Sequence, residues 1–221
     1  MSNPETITRR PLKSRDTKWA NAIAGRLARM GVRPNVISVA GTFFAAGAGL
    51  CFWFAGRTGQ NHLWSLLLIL AVGGMQLRLL CNLFDGMVAI EGGFKTKAGE
   101  IFNELPDRFS DAFIFIGAGY ALPGFAWTRE LGWAAAVLAV ITAYVRALGA
   151  SMGAGRHFIG PMAKQQRMAV MTGACVIGAA APFWPPLANI IPLALAIVVA
   201  GCVVTIFRRC NHIARVMETK P

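Results

Sequence analysis

Charge is scarce in this chain, and acid scarcer still: charged residues make up 14% of it against 55% hydrophobic, and only ten of its 221 residues are Asp or Glu. So apolar a composition leaves too little polar surface for a water-soluble domain of this length and makes lipid the expected solvent. Cysteine pairs are missing as well. Cys51, Cys81, Cys175, Cys202 and Cys210 form no C-x-x-C, and four of them lie in or at the edge of apolar runs. They read as small buried hydrophobes, which excludes a disulfide framework or a cysteine-bound zinc. His62, His157 and His212 stand far apart, with no partner at metal-ligand spacing. Internal repeats and low-complexity tracts are absent too.

What the chain has instead is a series of apolar runs. A spanning helix needs about 20 mostly apolar residues, and six segments approach that length: 36–55, 63–85, 99–122, 131–151, 168–181 and 187–207. Pro182, Pro185 and Pro186 cut the fifth short. The expected fold is therefore all-α, a polytopic membrane protein of six helices. Its net charge of +12 is sorted by loop. Arg9, Arg10, Lys13, Arg15, Lys18, Arg26, Arg29 and Arg33 precede the first span, and Lys95, Lys97, Arg156, Lys164 and Arg167 follow the second and fourth. Arg208, Arg209, Arg215 and Lys220 close the chain, whereas the alternate loops hold only Arg57 and Arg129. That pattern puts both termini in the cytoplasm and requires an even number of spans. It also argues against a nucleic-acid surface, whose basic residues would not be sorted in this way.

The first apolar run begins roughly thirty residues in, so no secretory signal is expected and the leading segment should remain on the protein. Within it Trp19, Ile23, Leu27 and Met30 recur at helical spacing among basic residues, the pattern of an amphipathic helix lying on the inner leaflet. The expected organisation is a basic cytoplasmic segment over 1–33, a membrane domain over 34–209 and a cytoplasmic tail over 210–221.

The few acids are not scattered. Asp85, Glu91, Glu100, Glu104, Asp107 and Asp111 make six of the ten, all within 27 positions. A carboxylate near a membrane span is costly, so such residues are read as functional by default. Asn82 and Asp85 are three apart and share a helix face, with Ala89 continuing it, while Gly99, Asn103, Asp107 and Asp111 recur every four residues. Two oxygen-rich stripes on consecutive antiparallel helices should meet at the cytoplasmic edge. They suit a hard cation, Mg2+ or Mn2+, with a diphosphate completing its shell. Gly86, Gly92, Gly93 and Gly99 around the same turn leave room for a ligand to approach backbone. The plainer alternative is that Asp107 only pairs with Arg108 or Arg78, which would leave the other acids unexplained.

These residues resemble the signature of the CDP-alcohol phosphotransferase family, D-x-x-D-G-x-x-A-R followed after eight residues by G-x-x-x-D-x-x-x-D. Here the pattern runs Asn82, Asp85, Gly86, Ala89, Ile90, then Gly99, Asn103 and Asp107, with every spacing kept. Pro34 and Asn35 at the start of the first span, and the six-span layout, are similar to the family too. The resemblance implies metal-dependent transfer of a phosphatidyl or other phosphoalcohol group from a CDP-linked donor, CDP-diacylglycerol or another CDP-alcohol, to a small alcohol acceptor with release of CMP, in phospholipid biosynthesis. It implies Asp85 as a metal ligand and Asp107 as both metal-associated and the general base, with Gly86, Ala89 and Gly99 lining the cytidine pocket. Arg146, Lys164 and Arg167 look like the basic region that meets donor or acceptor phosphates. A homodimer in the inner membrane of a bacterium is the expected setting.

The departures are Asn82 and Asn103, where the signature has aspartates, and Ile90, where it has arginine. An amide carbonyl can still ligate but brings no charge, so Asp111 is the first candidate to complete the metal set. Arg78, one turn before Asn82, is the candidate substitute for the arginine. The two asparagines also motivate a second reading, of a chain that binds nucleotide or lipid without turnover and assists a partner.

Overall fold

The computed structural model describes residues 17–94, 99–122, 124–155 and 159–219. Most of the basic leading segment, Lys95, Lys97, Arg156, His157 and Lys220 lie outside the described residues. Among those described, the chain forms seven α-helices and no strand: α1 Lys18–Arg29, α2 Pro34–Thr58, α3 His62–Glu91, α4 Gly99–Gly119, α5 Thr128–Ser151, α6 Lys164–Gly178 and α7 Ile190–Glu218. A short 3-10 turn, Pro185–Asn189, leads into α7.

Local chemistry sets several of the boundaries. Pro34 opens α2 at a position where its missing N–H costs nothing. Asn61 caps α3 by accepting from the Trp64 N–H at 3.0 Å. The prolines after residue 181 stop α6 at fifteen residues and begin the turn into α7. α7 then runs unbroken past residue 209, where the sequence suggested a tail begins.

The six longer helices close a ring, in the order α2, α4, α5, α7, α6, α3 and back to α2. The core is one cluster built from every member, with Phe52, Trp64, Met75, Phe115, Met171 and Leu195 among its fully buried side chains. Very close crossings depend on glycine. A Cβ on Gly117 of α4 would overlap the backbone of Gly49 on α2, and one on Gly132 of α5 would meet the Cα of Gly119 at 2.7 Å. α1 lies against α3, burying Ala20 and Ala24 beside Leu83, Met87 and Val88, and leaves Trp19, Ile23 and Met30 outward.

The outside is as apolar as the inside. Phe43, Trp53, Leu66, Ile69, Phe109, Trp133, Val137, Leu193 and Phe207 all face outward, a belt far larger than a water-soluble monomer exposes. Four helices are long and apolar enough to cross a membrane: α2, α3, α5 and α7 with its leading turn. α4 carries the cluster of acids, and α6 is short, so neither joins that group.

α3 and α4 follow one another in sequence yet barely pack together, because α2 sits between them. At the junction of these three helices a cleft opens, and it takes in the motif residues. Filling the α2–α4 crossing should unsettle it: Gly117→Val is expected to cost about 1–3 kcal/mol through overpacking, read as a lower midpoint of thermal unfolding in detergent.

Candidate active site

Nine residues line the cleft, among them Ser38 of α2, Arg78, Asn82 and Asp85 of α3, and Asn103 and Asp107 of α4. The helical spacing read from the sequence accounts for this: the α3 residues sit one turn apart on one face, as do those of α4, and the two faces converge. The Asn82 amide donates to Asn103 Oδ1 and to Asp107 Oδ1, both at 3.4 Å. Ser38 Oγ donates to Asp85 Oδ2 at 2.7 Å, and Thr42 Oγ1 reaches the Pro106 carbonyl at 3.4 Å, so α2 is fastened to both neighbours.

Asp107 is the most contested group. Lys164, the first residue of α6, donates to its Oδ2, while Arg78 Nη2 lies 3.4 Å from its Oδ1 and Arg108 Nη2 3.8 Å from Oδ2. One turn deeper, Asp111 is 1% exposed and does not line the cleft. Arg78 Nη2 donates to its Oδ1 at 2.9 Å and Arg167 Nη2 to its Oδ2 at 2.5 Å. Asp111 is thus spent on two arginines.

The remaining basic residues are likewise committed. Arg146 of α5 meets both oxygens of Glu104, at 2.6 and 2.7 Å. Arg167 also donates to Thr142 Oγ1 and the Met162 carbonyl, and Arg209 of α7 donates to the carbonyls of Thr142 and Ile159. Gly86 and Ala89 are half-buried on α3, and Gly99 opens α4, near the cleft's mouth in sequence. Ser38, Thr142 and Arg209 are among the members the sequence did not single out. A serine or threonine inside an apolar span was the available signal for two of them, whereas Arg209 looked like one more basic residue of the tail.

Beside the cleft, and sharing Pro106 with it, an apolar groove of about 460 Å3 runs between α2 and α4. Its walls are Val39, Phe43, Ile101, Leu105, Phe109 and Phe113, with Thr42 and Pro106 at the polar side.

No protein-family model matches the chain. Among curated proteins it is 27% identical over 216 residues to an uncharacterized protein of Aquifex aeolicus, covering 97% of this chain and 98% of that one. It is 30% identical over 215 residues to a phosphatidylinositol phosphate synthase of Cutibacterium acnes, covering 91% of this chain and 96% of the relative. The chain belongs to the CDP-alcohol phosphotransferase family. Its fold is also that of the phosphatidylinositol phosphate synthase of Mycobacterium tuberculosis. The crystal structure of that enzyme with CDP-DAG bound has a TM-score of 0.72 at 22% identity, covering 89% of this chain and 94% of that chain. Its complex with manganese and citrate also has a TM-score of 0.72, at 21% identity, covering 88% of each chain. As a family member the chain is a CDP-alcohol phosphatidyltransferase, a membrane enzyme of phospholipid biosynthesis.

The family uses divalent cations, and the cleft allows a test of whether this chain's residues suit one. Among the described residues no group of three or more His, Cys, Asp and Glu is placed to hold a metal, since two of the motif positions are amides. Yet Asp85 is 4% exposed, its Oδ1 is buried without a hydrogen-bond partner, and it lines a cavity of about 10 Å3. That is roughly the space of one water-sized occupant. With the amide oxygens of Asn82 and Asn103 counted beside Asp85 and Asp107, the donors are all hard oxygens, and they fit a single Mg2+ or Mn2+.

The ion pairs beneath the cleft make a separate claim about stability. Asp111→Leu would strand two buried guanidinium groups, and it is expected to cost about 3–5 kcal/mol, measured as loss of monodisperse, thermally stable protein in detergent.

Proposed function

We propose that this enzyme transfers a phosphatidyl group from CDP-diacylglycerol to the hydroxyl of a small phosphorylated alcohol, releasing CMP. The observation that carries this is the adjacency of two unlike spaces. A polar cleft holding Asp85 and Asp107 adjoins an apolar groove across Pro106. A donor with a charged diphosphate and an apolar tail would fill both, whereas a water-soluble CDP-alcohol would leave the groove without a purpose. Inositol phosphate is the first acceptor to try, because the related Cutibacterium acnes enzyme is a phosphatidylinositol phosphate synthase.

Asp85 and Asp107, with the amide oxygens of Asn82 and Asn103, are the groups that would hold the cation. When bound, a divalent ion neutralises charge on the donor's diphosphate. Asp107 acts as general base: the acceptor oxygen forms its bond to the phosphorus carrying the diacylglycerol, the bond from that phosphorus to CMP breaks, and the acceptor's proton goes to the Asp107 carboxylate. For that, one carboxylate oxygen must come free. Oδ2 is held by Lys164, whose flexible stem and single compact charge let it transfer to an arriving phosphate, as the planar, buried Arg78 would not. Arg167 supports the site from beneath through Asp111 and Arg146 from the side through Glu104, and Gly86, Ala89 and Gly99 leave space for the cytidine.

In the membrane we place six spans with both termini cytoplasmic, α1 resting on the inner leaflet of a bacterial cell membrane, and a homodimer as the assembly. The basic loops at the α4 and α6 starts then lie on the side where nucleotide is available.

Purified protein in detergent with Mn2+, CDP-diacylglycerol and inositol phosphate is expected to release CMP. Asp107→Asn should lower the rate by about 10²–10⁴-fold, the usual worth of a general base. CDP binding without CMP from any member of a broad acceptor panel would instead indicate a chain that binds and does not turn over.

A further inference from the structure

The carboxylates of the cleft and of the pairs beneath it are met by the chain's own cations before any ion enters. Asp85, Asp107 and Asp111 face Arg78, Lys164 and Arg167, with Arg108 a further 3.8 Å from Asp107, and two further motif positions are the neutral Asn82 and Asn103. Their engagement is unequal. Asp111 has both oxygens taken by arginines and Asp107 both by Arg78, Asn82 and Lys164, but Asp85, which lines the cavity, keeps one buried oxygen without a partner. One carboxylate therefore has spare capacity, and another is already neutralised by the chain itself.

Of the cations on Asp107, Lys164 is the removable one, since Arg108, 3.8 Å away, is tied to Glu104 on its own helix. It stands at the first position of α6, where the helix dipole disfavours positive charge, so its place there depends on the carboxylate opposite. Its ammonium is a point charge on a four-carbon stem, and its side chain is 19% exposed against 1% for Arg78. Any second divalent ion approaching Asp107 would have to displace it.

We propose that Lys164 is a tethered counter-cation for Asp107, limiting the centre to one divalent ion, held mainly by Asp85 and only in part by Asp107, and setting how tightly that ion binds. This rests on the metal-dependent reading of the site. In a carboxylate-rich centre without such a lysine, metal supplies the charge that balances Asp107. Here a side chain supplies it, so metal binding becomes weaker and single.

The test is a Mn2+ titration of the full chain in detergent without nucleotide, followed by the EPR signal of free Mn2+ and by calorimetry. The wild type should bind one Mn2+ per chain. Lys164→Met should bind Mn2+ about tenfold more tightly, or take a second ion, as expected when one nearby like charge is removed in a partly screened site. Lys164→Gln, which keeps a hydrogen-bond donor without the charge, should shift the same way and stands in if the methionine variant does not fold. Lys164→Arg should stay at one ion. Two ions on the wild type, or unchanged or weaker binding in both neutral variants, would overturn the proposal while leaving the metal-dependent reading in place. No Mn2+ bound by any of the four proteins would overturn both.

Discussion

Asp111, held between Arg78 and Arg167, is the interaction on which the rest of this structure depends. It lies one turn beneath the cleft, nearly inaccessible, and joins α3, α4 and α6 through charge-assisted hydrogen bonds of 2.9 and 2.5 Å. Removing such groups from water costs several kcal/mol per ion, and only close, well-directed pairing offsets it. The same arginines extend the link. Arg78 reaches up to Asp107, and Arg167 passes across to Thr142 on α5, whose carbonyl in turn accepts from Arg209 on α7. Five helices of the ring thus share one polar network, and α2 is fastened beside it through the separate Ser38–Asp85 bond. A bundle whose exterior faces lipid has no hydrophobic force pressing its helices together, so van der Waals packing and a network of this kind decide how they sit. The glycine crossings bring α2 close to α4, and the ion pairs fix the depth and rotation at which α3 and α4 face each other.

Much of the cleft was legible from spacing. Residues three and four apart share a helix face whatever the fold, so Asn82 with Asp85 and Asn103 with Asp107 were bound to form two stripes, and these meet at the junction with α2 although α3 and α4 barely pack on each other. The apolar runs likewise gave the six longer helices nearly at their observed positions, while the span count turns on α4 and α6, where acids and brevity weaken the signal. Partnership was not legible. Asp111 continued the α4 stripe and so looked like a further oxygen ligand, but each four-residue step turns about 40° around the axis, and one step beyond Asp107 it lies buried between two arginines. Lys164 and Arg167 read as loop charges free to meet phosphate, because nothing in a linear sequence says that α6 returns to pack on α3. Arg209 was hidden for the opposite reason, since basic residues at the cytoplasmic end of a span are so common that one turned inward carries no mark.

The two asparagines are where sequence and structure together say more than either alone. As letters they are a loss of charge at positions where the family signature has acid. In the folded chain the amide of Asn82 donates to Asn103 and to Asp107. Two carboxylates in those places would repel one another and would need a cation to hold them together. An amide, offering both a donor and an acceptor, closes the contact unaided. The substitutions therefore remove charge and supply cohesion in the same step, and they do so beside a lysine that neutralises Asp107 from the other side. The centre is assembled before any ligand arrives, which lowers the reorganisation a bound donor must drive. What it gives up is the strong electrostatic pull of an all-carboxylate site on divalent ions, so on the proposed reading an ion would be held mainly through Asp85, whose Oδ1 the chain leaves without a partner.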